Sequence, residues 1–210
     1  MQSDSPCVRI VDDDPAIRKL LMILVESWGY SSRAYASAEH FMSEDRLSDP
    51  GCVLVDLEMQ GASGAELIGW LIQQSDPLPA IVVTGYGSVR SAVQCLKSGA
   101  TEFLEKPIDR TALLEQIRGA VALDASQRIL RQRIAVLRQY YASLSPREQE
   151  VIQYLAEGLS TKQIAGKLGL ALKTVEHHRG RVMTKMHAES LADVVRAVVE
   201  LGLLIDLQST

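Results

Sequence analysis

Cysteine is scarce in this chain of 210 residues. Cys7, Cys52 and Cys95 are odd in number, widely spaced and without a CxxC pair. That excludes a disulfide framework and a cysteine zinc site, and makes buried apolar positions the expectation. Long apolar runs are missing as well. None approaches the ~18 residues of a membrane span, so no membrane partner is expected. Met1-Gln2-Ser3-Asp4 lacks the basic, apolar-cored pattern of a signal peptide, which makes the cytoplasm the expected compartment. There is no internal repeat and no low-complexity segment. What is present, 47% apolar and 23% charged residues, is the profile of a globular protein long enough for one large or two modest domains.

The formal charge of −4 is unevenly spread. Residues 1–122 carry 10 basic and 17 acidic side chains, a net of −7, whereas residues 123–210 carry 12 and 9, a net of +3. Residues 160–187 alone hold six basic residues and one acid. A basic patch on an acidic chain points to a local anionic partner.

The first part alternates strand and helix signals. Cys7–Val11, Tyr30–Tyr35, Cys52–Val55, Ala80–Val83 and Thr101–Glu105 read as strands. Helical patterns follow each, around Leu20–Val25, Ala38–Leu47, Ala65–Gln74, Val89–Ser98 and from Asp109. Five β-then-α units imply an α/β fold, a doubly wound parallel sheet with sites at the C-terminal ends of its strands. After Gly119 the signal is helical only. Leu123, Leu130, Leu137 and Leu144 recur every seven residues, with Ile134 and Tyr141 between them. A long linker helix follows, either paired with a second copy or packed on its own domain. The expected division is an α/β domain at 1–122, a helical linker at 123–142 and an all-α domain at 143–210.

That last domain opens on Ser145-Pro146-Arg147-Glu148, a capping box with Pro at the first helical position. Gly158 ends the helix. Ser160 starts another, Gly169 breaks it, and a third begins near Lys173, the spacing of a helix-turn-helix.

Asp12, Asp13 and Asp14 follow the first strand, and Asp56 follows the third. Clustered carboxylates repel unless a cation neutralises them, and a hard ion such as Mg²⁺ (or Mn²⁺) prefers such oxygens. Thr84 ends the fourth strand and Lys106 follows the fifth, adding a hydroxyl and an ammonium. Phosphoryl transfer uses this set, because positioning and charge neutralisation carry most of its catalysis. Asp14, just before Pro15, reads as a helix N-cap rather than a ligand.

On Ile10-Val11-Asp12-Asp13, Val53-Leu54-Val55-Asp56, Val83-Thr84-Gly85 and Phe103-Leu104-Glu105-Lys106-Pro107, residues 6–120 resemble a response-regulator receiver domain of flavodoxin/CheY-like fold. The resemblance implies that Asp56 accepts phosphate from a sensor histidine kinase. Asp13 would bind Mg²⁺ directly and Asp12 through water, and Asp56 and the backbone carbonyl of Glu58 would complete the ligands. Thr84 and Lys106 would contact the phosphoryl group, and Phe103 stands at the family's aromatic switch position. A cis Lys106-Pro107 bond is implied too. Gln60 departs from the family, which usually has Pro in the loop after the phosphorylated Asp.

Residues 143–204 resemble a LuxR-type helix-turn-helix on Gly158–Ala165, Leu168-Gly169-Leu170 and Lys173–His178. With the receiver, this gives a resemblance to NarL/FixJ-family regulators. The helix from Thr174 to Lys185 would enter the major groove of double-stranded DNA. Lys162, Lys173, Arg181 and Lys185 are the candidate phosphate contacts, and Thr174, which starts the helix, is a further candidate DNA contact. Glu176, His177, Arg179 and Gly180 occupy or flank the base-reading positions. His177 and His178 lack a Cys or third His nearby and are not expected to bind metal. Ala171 stands where a Ser or Thr cap is usual. The resemblance further implies RNA polymerase as a partner, activation as the commoner role, and pairing of two chains through Leu191–Leu201. Phosphorylation would promote a homodimer through the helix at Val89–Ser98 and the helix from Asp109.

Two alternatives compete. Asp12-Asp13-Asp14 also fits the DxD motif of haloacid-dehalogenase-like phosphatases, with Asp12 as nucleophile and Asp14 beside it. That reading leaves Asp56 and the C-terminal third without a role. A receiver with an RNA- or protein-binding output is the other. The favoured expectation is a regulator and not an enzyme.

Overall fold

The computed structural model describes residues 5–45, 47–85 and 99–203. The helix expected at Val89–Ser98 and the thiol of Cys95 lie outside the described residues. Two compact units divide the chain after Arg128.

The first unit is the expected α/β fold. Its strands are β1 (Cys7–Val11), β2 (Ser31–Tyr35), β3 (Gly51–Val55), β4 (Ala80–Thr84) and β5 (Glu102–Glu105). All pairings are parallel, in the order β2-β1-β3-β4-β5. Every residue of β1, β3 and β4 is buried, which explains their near-continuous apolar sequences, for these are the strands covered on both faces. The more polar β2 and β5 take the edges.

Helices α1 (Pro15–Ser27), α2 (Ala38–Glu44) and α3 (Gly64–Leu71) pack with the start of α4 (Arg110–Ala142) against this sheet. Leu21, Leu24 and Val25 of α1 join Leu113, Ile117 and Ala120 of α4 on one face. Phe41 of α2 and Leu67, Ile68 and Leu71 of α3 cover the other. Their spacings of three and four residues make one apolar stripe per helix, and each fully buried Leu or Ile contributes about 1.5–3 kcal/mol. The sheet is therefore doubly wound.

α4 runs without a break through Gly119 into the linker. The leucine repeat does not act as one stripe. Leu123 and Leu130 are exposed, whereas Leu137, Tyr141 and Leu144 belong to the core of the second unit. A heptad repeat records which positions share a face but not what covers each of them.

The second unit adds α5 (Pro146–Ala156), α6 (Thr161–Leu168), α7 (Leu172–Lys185) and α8 (Leu191–Glu200). Val151, Ile152 and Leu155 of α5, Ile164 of α6, Val175 and Val182 of α7, and Val194 and Val198 of α8 form its centre. The capping box at Ser145 and Glu148 is present. α6 ends on Gly169 at φ 64°, a left-handed conformation that suits glycine and turns the chain into α7 within three residues. Ala171 makes no side-chain cap bond.

Candidate phosphoacceptor site and nucleic-acid interface

Strand register brings the acids together. Val11 of β1 lies opposite Val55 of β3, so Asp12 and Asp56 leave the sheet side by side. The Asp56 N–H donates to the Val11 carbonyl at 2.9 Å, and the Lys106 N–H donates to the Thr84 carbonyl at 2.9 Å. Asp12, Asp56 and Thr84 are buried. Lys106 reaches across, its Nζ 2.7 Å from Asp56 Oδ2 and 2.9 Å from Asp12 Oδ2. Burial alone would lower the Lys106 pKa, but the hydrogen bonds to Asp56 and Asp12 outweigh it and hold the ammonium above the ordinary lysine value. The Lys106-Pro107 bond is cis.

The turn after β1 divides the work of three neighbouring aspartates. Asp12 Oδ1 accepts from the Asp14 N–H at 2.9 Å, and Asp14 caps α1 through the Ala16 N–H at 2.8 Å. Asp14 therefore acts as the cap its place before Pro15 suggested. Asp13 is exposed and accepts from the Gln60 N–H at 3.2 Å. Glu58 is exposed, and its N–H donates to Asp56 Oδ1 at 3.3 Å. Phe103 is partly buried on β5 against the core shared by α2 and α3.

Two participants were not anticipated. Arg18 donates to the Asp12 carbonyl at 2.6 Å. Glu39, in the first turn of α2, accepts from the Ala62 N–H at 2.7 Å, and that bond holds its carboxyl below the usual carboxylate range. The loop after Asp56 is thus tied by Asp13 at Gln60 and by Glu39 at Ala62. Gly61 carries a sequence signal for this: its φ is +88°, and a Cβ there would come 2.6 Å from Glu39 Oε1.

Asp12 and Asp56 share one ammonium, and Asp13 adds a third charge. The surplus of buried negative charge and the all-oxygen donors suit a hard divalent cation. Among the described residues, however, no three such side chains are gathered as a ready metal cage, since Asp13 is turned to Gln60.

In the second unit, Lys162, Lys173, Thr174, Glu176, His177, Arg179, Gly180 and Arg181 are all exposed. An open groove along α7 is lined by Glu176, His177, Gly180, Arg181, Thr184 and Lys185. Val175 and Val182 bury the opposite face. Arg179 Nη1 lies 3.5 Å from Thr161 Oγ1 at the start of α6. Lys185 is differently engaged. Its ammonium donates to Glu148 at 2.6 Å and to the Ser143 carbonyl at 2.9 Å. Arg181 Nε is 3.0 Å from the other oxygen of Glu148. Glu148 is buried and also accepts from the Ser145 N–H at 2.8 Å. Lys185 first, then the Ser145 N–H, pull its carboxyl down to about 2. The sequence marked Glu148 only as a capping residue, because its cationic partners lie 33 and 37 positions away.

A carboxylate gripped by a lysine at the C-terminal edge of a doubly wound sheet, followed by a helix-turn-helix with an exposed basic face, defines a phosphoacceptor switch with a DNA-binding output. The family profile described as "Response regulator receiver domain" matches residues 8–118, and "Bacterial regulatory proteins, luxR family" matches residues 142–198. The transcriptional regulatory protein FixJ of Azorhizobium caulinodans is 38% identical over 195 residues, covering 93% of this chain and 92% of that protein. The C4-dicarboxylate transport transcriptional regulatory protein DctR of Rhodobacter capsulatus is 39% identical over 191 residues, covering 90% and 97%. Among solved structures, the response regulator StyR superposes with a TM-score of 0.79 at 39% identity, covering 93% of this chain and 99% of that one. Full-length FixJ from B. japonicum gives 0.57 at 35%, covering 95% and 98%. The chain belongs to the NarL/FixJ family of response regulators and is a phosphorylation-dependent transcription regulator of a two-component system. No helix among the described residues is long and apolar enough to cross a membrane.

Proposed function

We infer that Asp56 is the phosphoacceptor and that α7 is the DNA-reading helix. The observation that carries the first assignment is the Lys106 ammonium, 2.7 Å from Asp56 Oδ2 and positioned to neutralise charge arriving there. Asp56 attacks the phosphorus of a phosphohistidine on a sensor histidine kinase, forming an acyl phosphate as the histidine leaves. Lys106 and Thr84 then hold the new phosphoryl oxygens. Mg²⁺ (or Mn²⁺) fits Asp12, Asp13, Asp56 and the Glu58 carbonyl, and would supply further charge neutralisation. To join that set, the Asp13 carboxylate would give up its bond to the Gln60 N–H.

Thr84 and Phe103 are the switch residues in this reading, because Thr84 ends the strand beside Phe103's own. Lys162, Lys173 and Arg181 contact phosphates, while Glu176, His177, Arg179 and Gly180 read or flank bases. The chain acts in the cytoplasm with RNA polymerase as partner, without enzymatic turnover of its own. Two chains pair on a two-fold operator through α8, whose Leu191, Val195 and Val199 line an apolar groove separate from the core residues Val194 and Val198.

Incubation of the full chain with acetyl phosphate and Mg²⁺ should label Asp56, and Asp56→Asn should lose the label and the accompanying rise in affinity for duplex DNA. Label persisting in that variant, or trapped on Asp12, would return the site to the phosphatase alternative. Tighter binding to RNA than to duplex would do the same for the output.

A further inference from the structure

Opposite the phosphoacceptor site, at the N-terminal end of the sheet, one buried and one partly buried guanidinium grip one loop. Arg9 of β1 is fully buried. It donates through Nε to Asp45 at 3.0 Å and through Nη2 to the Asp49 carbonyl at 3.0 Å. Arg128, in α4, donates to the carbonyls of Leu47 at 2.8 Å, Ser48 at 2.7 Å and Asp49 at 3.2 Å. Its Nε also pairs with Asp124, one turn earlier, at 2.8 Å. Asp124 is fully buried, and its Oδ2 accepts from the Gly51 N–H at 2.8 Å. Gly51 itself sits tight against β1. Its φ is +144°, and a Cβ there would lie 1.8 Å from the Cys7 carbonyl oxygen.

Hydrophobic packing does not explain why α4 is held here. Among residues 122–130 only Asp124 is buried, while Leu123, Ile129 and Leu130 are exposed. The buried Asp124 carboxylate, satisfied by hydrogen bonds, fixes where the helix sits. It ties α4 to Gly51, the first residue of β3, and β3 runs directly into Asp56. The other end of this stretch of helix follows Lys106, which holds Asp56.

We propose that Asp124 and Arg128 are positioning residues for the phosphorylation response. They make residues 110–128 of α4 one body with the receiver. Phosphorylation adds roughly −1.5 to −2 charge at Asp56 and acts on Lys106. A helix clamped at its far end passes the resulting shift on as a rigid element, whereas an unclamped helix absorbs it locally. The inference rests on the functional reading above both for Asp56 as the phosphorylated residue and for its DNA arm.

The test uses the full chain with Arg128→Ala, Asp124→Asn and the milder Arg128→Lys, which keeps the charge but not the fork. Labelling of Asp56 by acetyl phosphate at the parental rate establishes that the receiver is folded. Amide exchange across residues 121–128 should quicken about tenfold or more in Arg128→Ala. Affinity is then measured for a duplex selected by the parent protein from a random-sequence library. The parental gain on phosphorylation, about 5–150-fold for a coupling of ordinary size, should fall to about twofold or less in Arg128→Ala and to an intermediate value in Arg128→Lys. A full gain despite fast exchange would overturn the proposal, as would exchange that is equally fast in the parent. If the parent itself shows no gain, the functional reading fails instead, and the exchange measurement alone decides whether the clamp holds the helix.

Discussion

Lys106 and Glu148 illustrate how a single charged side chain organises each unit. Lys106 gathers two carboxylates from two strands, and Glu148 gathers two cations from one helix. Glu148 gives a clear pH prediction. Its folded pKa of about 2 lies below the ordinary 4.5, so the carboxylate stabilises the second unit fully above about pH 4.5 and loses that contribution as pH falls toward 2. Glu148→Gln should therefore lower stability near neutrality by about 1.5–3 kcal/mol, the scale of hydrogen bonds to a charged group. Melting curves of parent and variant should converge on acidification. Parallel curves over the whole range would show that the carboxylate does not carry this stability.

At the scale of elements, caps and glycines set the boundaries. Ser63, Ser145, Ser160 and Ser190 each start a helix with a capping box, whereas Ala171 starts α7 without one. The helix assigned to DNA is thus the weakly capped one. Ala171→Ser should stabilise the second unit by about 1 kcal/mol. For a domain of this size that corresponds to a rise in Tm of about 4–8 °C, readable by calorimetry. No rise would mean that tertiary contacts already hold the helix end. Edge and centre also divide by element. All five segments were legible as strands, and sheet position explains their composition: β1, β3 and β4 are covered on both faces and near-continuously apolar, whereas the edge strands β2 and β5 are more polar. The leucine repeat of α4 was legible as a helix but not as an interface, since its two halves meet different surroundings.

For the whole molecule, charge separates the halves, and the basic face of the second unit implies salt-dependent DNA binding. The cations there are differently engaged. Lys173 is exposed, but Lys185 is held by Glu148 and Ser143. Lys173→Ala should reduce the slope of log affinity against log salt by about 1. Lys185→Ala should leave that slope unchanged and lower the melting temperature of the second unit instead. A reduced slope in the second variant would restore Lys185 to the phosphate contacts.

The sequence by itself determined the alternation of strands and helices, the helix starts, and the set of residues at the strand ends, because periodicity and caps are local properties. It also carried the gathering of Asp12, Asp13, Asp56, Thr84 and Lys106, since a parallel sheet must bring strand C-terminal ends to one edge. Only the tertiary structure decided that Lys106 bridges Asp12 and Asp56, that Asp13 turns to Gln60, and that Lys185 serves Glu148. It alone revealed Asp124 reaching Gly51 at the start of β3, 73 residues away in sequence, and Arg128 reaching Ser48 in the loop before it, 80 residues away. A charged residue on a helix reads the same whether water or a distant carbonyl satisfies it. Which of the two does so depends on packing that no local pattern encodes.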